Sequence, residues 1–354
     1  MPLFRRDREK PAPEPADAAP ADAIPADAAP ADAVPAPPPP GTGQYPTARI
    51  EPGNGDPVLA ELLERAARAD WDALRTMLAG RDDEDLIDLV DQLCHQTSKM
   101  DEWLPAVARE DGGQLAQLLL GARTINRAWE IRTGKIPKYV SKDQFAAFKL
   151  VLREAEDILD RLLKGDRDSA AAWFFLMQSG RGLEIGLPAI HERFVEVDRR
   201  CPGSLAAHRQ MLQAACKKWA GSHEIMHSFA QRSLQGPHGD RLAELVARAH
   251  IEQRQSIQDK DAKKAYIRSA AVRQSLTQAA DMSISRPDST RPVRAPYYTQ
   301  NTFAMALSLS ALQPPAFAAF EATEGVVDGP WTYINARNPV HVYNVWRDWS
   351  RTKY

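Results

Sequence analysis

The chain of 354 residues holds only three cysteines, Cys94, Cys201 and Cys216, with no C-x-x-C spacing among them. An odd, sparse set excludes a disulfide framework and a thiolate zinc knuckle. It reads as free thiols in a reducing compartment, the cytoplasm. Long apolar runs are missing as well: none approaches the roughly 18 residues of a membrane span. Met1 to Lys10 carries charges but no apolar stretch, so it does not read as a signal peptide. Net charge is also small, with 45 Lys+Arg against 47 Asp+Glu. Nucleic acids and anionic membranes demand a one-sided basic field, and a balanced chain argues against both. There is no phosphate loop with Gly-Lys-Ser/Thr, no G-x-S-x-G, and no alternating apolar pattern long enough for a sheet.

Proline, by contrast, is plentiful and uneven: 15 of 27 fall within residues 1–57. From Pro15 to Val34 the units PADAA, PADAI, PADAA and PADAV follow one another. A proline every fifth position stops helix growth, and Ala and Asp offer too little apolar surface to offset ordering entropy. Residues 1–57 therefore read as a disordered Pro/Ala/Asp-rich arm of net charge −4, with the apolar-basic tip Met1-Pro-Leu-Phe-Arg-Arg.

Beyond Pro57 the apolar spacing changes to three and four. Leu59, Leu62, Leu63 and Ala66 mark one helix face; Leu86, Leu89, Val90 and Leu93 mark another. Longer helices are expected over Gln114–Ile131 and Gln144–Leu163. Asp82 to Asp85 precede an apolar run, as acids at a helix start do. In the centre, a shift of 35 residues maps Leu176 onto Met211, Met177 onto Leu212, Ile190 onto Ile225, Phe194 onto Phe229 and Pro202 onto Pro237. Two helices and a closing proline per unit are the layout of a tetratricopeptide-like array. The expectation is an all-α, TPR-like α-solenoid of stacked antiparallel helix pairs. It has a helical region at 58–140 and a repeat domain with an aromatic cap at 141–354.

The run Trp219-Ala-Gly-Ser222, followed by Met226, Phe229 and Ala230, resembles the W-x-G-S-x-x-x-M-x-x-F-A signature of an uncharacterised bacterial family of TPR-like helical proteins. Gly329-Pro330-Trp331-Thr-Tyr333 resembles that family's closing P-W-x-Y element. The resemblance spans roughly residues 145–350. It implies an α-solenoid and no catalytic residues or cofactor.

One segment invites an enzymatic reading. His223-Glu-Ile-Met-His227 is H-E-x-x-H, which on a helix stacks two imidazoles for one zinc ion, with Glu224 polarising its water. A helix beginning at Ser222, however, places His223 in the first turn, where the dipole repels a cation. Met226 and Phe229 explain the segment as packing. A third histidine is missing at position 233, which is Ser, and Glu244 or Glu252 would have to complete a zinc site from another helix. Two structural histidines are expected.

Gly180-Arg-Gly182 with Gly186 reads as a helix-to-helix turn. Lys260, Lys264 and Arg268 share one face, read as solvated, and Arg286, Arg291 and Arg294 lie in a proline-rich loop suited to an acidic segment. The last 24 residues hold Trp331, Tyr333, Trp346 and Trp349, candidates for a terminal cap or a partner-binding surface. The function expected is a non-enzymatic scaffold or adaptor for a protein or peptide partner, the alternative a zinc hydrolase using His223, Glu224 and His227.

Overall fold

The computed structural model describes residues 46–133, 140–283 and 296–351. The PADA repeats, the basic tip and the loop with Arg286, Arg291 and Arg294 lie outside the described residues. What is described is all-α, as expected. In chain order the helices are α1 (Pro57–Ala67), α2 (Trp71–Leu78), α3 (Asp83–Gln96), α4 (Leu104–Asp111), α5 (Gln114–Arg132) and α6 (Lys142–Gly165). Then come α7 (Ala170–Leu183), α8 (Leu187–Arg200), α9 (Leu205–Ala214), α10 (His223–Gln235), the single turn α11 (Gly239–Leu242) and α12 (Glu244–Ser256). The last are α13 (Lys260–Ile267), α14 (Ala270–Met282), α15 (Pro296–Leu309), α16 (Gln313–Glu321) and α17 (Pro339–Arg351).

Local chemistry sets most of these boundaries. Asp82 caps α3 by accepting from the Asp85 amide at 2.9 Å, and Ser141 with Gln144 forms a reciprocal capping box on α6. Such caps are worth about 1 kcal/mol each. The glycines Gly180 and Gly182 depart from expectation. Both lie inside α7, and only Gly186 sits in the turn. A Cβ on Gly182 would come within 2.5 Å of Leu152 and 2.8 Å of Phe148, so glycine is there to let α7 approach α6.

The 35-residue echo is realised in the helices themselves. Ser169 and Ser204 are the N-caps of α7 and α9, accepting from Ala172 and Ala207 respectively. Leu176, Met177, Met211 and Leu212 are all buried, and the rings of Phe194 and Phe229 meet at 5.6 Å between the second helices of the two units. One pairing slips. Ile225 is 37% exposed, and the counterpart of buried Ile190 is Met226, one residue further on, fully buried against Cys216. The extra residue sits in the longer link between α9 and α10.

The two ends of the described chain meet. The Arg49 amide donates to the Gly325 carbonyl at 2.9 Å, the Val327 amide donates to the Arg49 carbonyl at 2.8 Å, and Arg347 reaches the Pro46 carbonyl. Residues 46–57, read from sequence as the end of the arm, are thus part of the folded body. The apolar core runs without a break from Leu59 to Trp346. No described helix is long and apolar enough to cross a membrane.

Candidate functional site

α12 carries an unusual stripe. Leu245, Val246, Ala247, Ala249 and Ile251 are buried, yet Glu244, Arg248 and Glu252, spaced by four, also face inward. Isolated charges cannot stay there, since burial of an unpaired ion costs several kcal/mol. Each is therefore matched by groups from elsewhere in the fold. Glu244, with no exposed surface, accepts from Arg209 of α9 (Nε at 3.1 Å and Nη2) and from Thr299 of α15 at 2.6 Å. Arg248 donates to the Tyr298 hydroxyl and lies 3.6 Å from Glu244. Glu252 accepts from Lys218 Nζ at 2.6 Å and from the Tyr333 hydroxyl at 2.9 Å. The guanidinium groups of Arg209 and Arg248 stand 4.4 and 5.1 Å from the centre of the Tyr298 ring.

These side chains form one charged cluster around α12. Arg209 and Arg248 retain 15% and 17% of their side-chain surface although protein surrounds them. Burial alone would pull the Arg248 guanidinium down, but Tyr298, Glu244, Tyr333 and Glu252 more than offset it and hold it above the ordinary arginine value. Burial likewise opposes ionisation of Glu244, and Arg209 and Arg248 overcome it, leaving its carboxyl below the usual range. Asp328, which caps the Gly329–Tyr333 turn, is pushed up to about 6, chiefly by burial.

α3 adjoins α9 and α11. Glu84 accepts from the Leu205 amide at 2.9 Å and pairs with Arg241 of α11 at 3.0 Å; Asp91 accepts from Gln178 of α7 at 3.0 Å. Between them lies Asp88, which makes no hydrogen bond or ion pair with the described residues. Burial, then Glu84 and Asp91, push its carboxyl up to about 8, against the pull of Arg209 and Arg241. Its carboxyl is therefore harder to ionise than that of an ordinary aspartate. Clusters with strongly shifted groups of this kind are where binding and chemistry concentrate.

The residues singled out from sequence fall in different places. Trp331 is buried: its ring packs on Phe320 and Tyr343, and its indole donates to Asn301 at 2.6 Å. Trp346 is buried beside half-buried Trp349. Of the four, Tyr333 reaches the charged cluster, through Glu252. The Trp219-x-Gly-Ser motif has a packing explanation. A Cβ on Gly221 would sit 2.0 Å from the Ala215 carbonyl oxygen, Ser222 caps α10, and Trp219 stacks Arg181 against Trp129. Lys218 and Tyr333, one from each motif segment, converge on Glu252.

His223 and His227 lie in the first two turns of α10, as expected, and Glu224 is exposed. His223 Nε2 bonds Ser256 at 3.1 Å and His227 Nε2 bonds Gln253 at 2.6 Å. Glu244 and Glu252 are engaged elsewhere by Arg209 and Lys218. Among the described residues no group of three His, Cys, Asp or Glu side chains is placed to hold a metal ion. Lys260, Lys264 and Arg268 are exposed.

His227 instead borders a closed network. Gln231 donates to Ser275, Ser275 to His250 Nε2 (3.1 Å), His250 Nδ1–H to the Tyr266 hydroxyl (2.8 Å), and Tyr266 to Gln253 (2.8 Å). That chain of donors requires neutral His250. Burial first, and His227 second, push it down to about 3. Unfolded His250 binds a proton near pH 6.5 and folded His250 does not, so its contribution to stability is complete above pH 6.5 and is lost as pH falls towards 3. The slope is at most about 1.4 kcal/mol per pH unit. In urea melts, His250→Gln is expected to be less stable than wild type at pH 7 and to lose about 2 kcal/mol less on going to pH 5. Equal losses in the two proteins would contradict this.

The sequence signal for this cluster is charged residues four apart, Glu244, Arg248 and Glu252, among mostly apolar neighbours in the first nine residues of α12. Arg209, Tyr298 and Asp88 carry no such mark, because only packing brings them together. The chain matches no family model, no curated protein and no solved structure.

Proposed function

We propose that this protein is a non-enzymatic scaffold or adaptor, a TPR-like array of helix pairs that takes a segment of a protein partner onto the charged cluster along α12. The observation that carries this reading is the charged cluster on α12, in which Arg209 and Arg248 keep 15% and 17% of their side-chain surface open to water. Polar side chains held rigidly by neighbours suit recognition of a polypeptide, because they are ordered before the partner arrives. The repeated unit of α7–α8 and α9–α10 supports the array, and the motif resemblance at Trp219–Ala230 and Gly329–Tyr333 agrees with it. Three free cysteines, whose thiols burial pushes well up, support a reducing compartment such as the cytoplasm.

The test is photo-crosslinking from within the cluster. A benzophenone amino acid at Tyr333 of the full chain is expected to trap one specific protein in cells. The same group at Leu150, 66% exposed on α6, is expected not to trap it. No adduct from position 333, or identical adducts from both positions, would overturn the reading.

A further inference from the structure

Residues 46–56 tie the two ends of the described chain together, and they do so with little apolar surface. Pro46, Thr47, Arg49 and Ile50 are exposed, while Ala48 packs on the core. On one side the segment is bonded to α3: the Gly53 amide donates to Gln96 and the Asn54 side chain to Gln92, both at 3.3 Å. On the other side it meets the C-terminal helices. Arg347 of α17 donates to the Pro46 carbonyl, and the Arg49 main chain pairs with Gly325 and Val327. The Arg49 guanidinium also donates to the Glu324 carbonyl at 3.0 Å, and Tyr297 of α15 donates to the Glu324 carboxylate at 3.1 Å. Two glycines allow these approaches. A Cβ on Gly55 would stand 2.7 Å from the Tyr297 ring, and one on Gly325 would stand 2.9 Å from the Thr47 carbonyl oxygen. Gly53, Asn54 and Gly55 are all left-handed, with φ of 64°, 53° and 80°, so the link to α1 is a tight reversal.

We infer that residues 46–56 are a clasp that holds α3 to α15 and α17, and that it opens ahead of the rest of the fold and lets the two ends separate. Main-chain bonds open to water, with few apolar contacts behind them, are the first to break in a folded protein. The elements on either side are anchored instead by fully buried residues such as Leu93 and Trp331. The inference rests on the array reading above. Where each helix pair rests on its neighbours, small rotations add along the chain, and a tie between the ends restrains their sum. The segment that the clasp holds runs on to Asp328 and to Tyr333, which bonds Glu252, so the clasp borders the charged cluster. Residues 1–45 join the described chain at Pro46, so whatever engages them acts on the clasp first.

The test is a spin-label distance in the full chain, with labels at Ala67 at the end of α1 and at Ala322 after α16, both exposed. Cys201→Ser is the background, since Cys94 and Cys216 are buried. Two variants break the clasp from opposite sides. Arg49→Pro removes the amide that donates to Gly325, and Gly325→Ala drives a Cβ against the Thr47 carbonyl. Each is expected to lengthen the mean distance by at least about 5 Å, one helical turn, with its folding verified by its melting temperature. A distance unchanged from wild type in either folded variant would overturn the inference. Hydrogen exchange of the wild type needs no variant. The Arg49 and Val327 amides are expected to exchange at least about tenfold faster than those of Ala122 and Ile125 in α5, and equal protection would overturn the inference as well. The two readings fail separately. An unchanged distance with a specific adduct at Tyr333 sinks only the clasp, and a lengthened distance without an adduct sinks only the scaffold.

Discussion

Glu244→Gln is expected to be the most damaging single-atom change in the charged cluster, lowering stability by about 3–5 kcal/mol. The carboxylate has no exposed surface and sits between Arg209 and Arg248, both of which burial disfavours as cations. Glutamine keeps the shape and can still accept from Thr299, but leaves two guanidinium groups facing each other without a counter-charge. For a folded body of this size the loss corresponds to roughly 8–15 °C in melting temperature. Arg209→Met in the Glu244→Gln background is expected to restore part of the loss, because it removes one of the unbalanced charges together with its desolvation cost. A double-mutant cycle by thermal melts checks this, and simple additivity of the two losses would show that the pair is not coupled. The wild-type ion pair also has a pH signature. Since the folded Glu244 carboxyl lies below its ordinary value, its contribution is present above about pH 4.5 and disappears as pH falls through the folded value.

The second large effect has the opposite sign. Asp88→Asn is expected to stabilise the protein by about 2–4 kcal/mol at pH 7.5 and by little at pH 4. With the folded carboxyl near pH 8 and an ordinary value of 3.8, the unfolded chain releases a proton across that interval while the folded chain retains it. The folded state is therefore penalised progressively from pH 4 up to pH 8, and not beyond. Asparagine removes the titration at almost no change in volume and has no partner to lose. Melting curves of both proteins between pH 4 and pH 8 should converge at the acid end and separate as pH rises. Parallel curves would mean that Asp88 ionises normally in the folded state. The His250 network acts in the reverse direction over pH 6.5 to 3, so the two variants separate contributions that a wild-type pH profile would mix.

How much of this was legible beforehand depends on the range of the interactions involved. Helix faces such as Leu86–Leu93, helix starts such as Asp82 and Ser222, and the 35-residue echo of Leu176 with Met211 are readable because each is decided within a few residues or by repetition along the chain. The placement of His223 and His227 in the first turns of α10 follows from the same local rules. The single-residue slip that exposes Ile225 and buries Met226 was not legible, since it depends on how α10 docks after a longer link. The helical glycines were misread for a related reason. Gly180 and Gly182 look like turn residues in one dimension and become contact points only in the packed fold, Gly182 against Leu152 and Phe148 of α6 and Gly180 against Ile185 in the link to α8 and Arg193 of α8.

The charged cluster shows the division most clearly. By itself the sequence determined an all-α chain, its helix faces and caps, and a charged stripe four residues apart on α12, because backbone hydrogen bonding and apolar periodicity act over a turn or two. Only the tertiary structure decided that Arg209, Tyr298 and Tyr333 would answer that stripe, that residues 46–57 would close against Gly325 and Arg347, and that Asp88 would be left unmatched. Those outcomes depend on the cost of burying charge. That cost is set by which groups from distant parts of the chain arrive at the same place, and no local pattern records it.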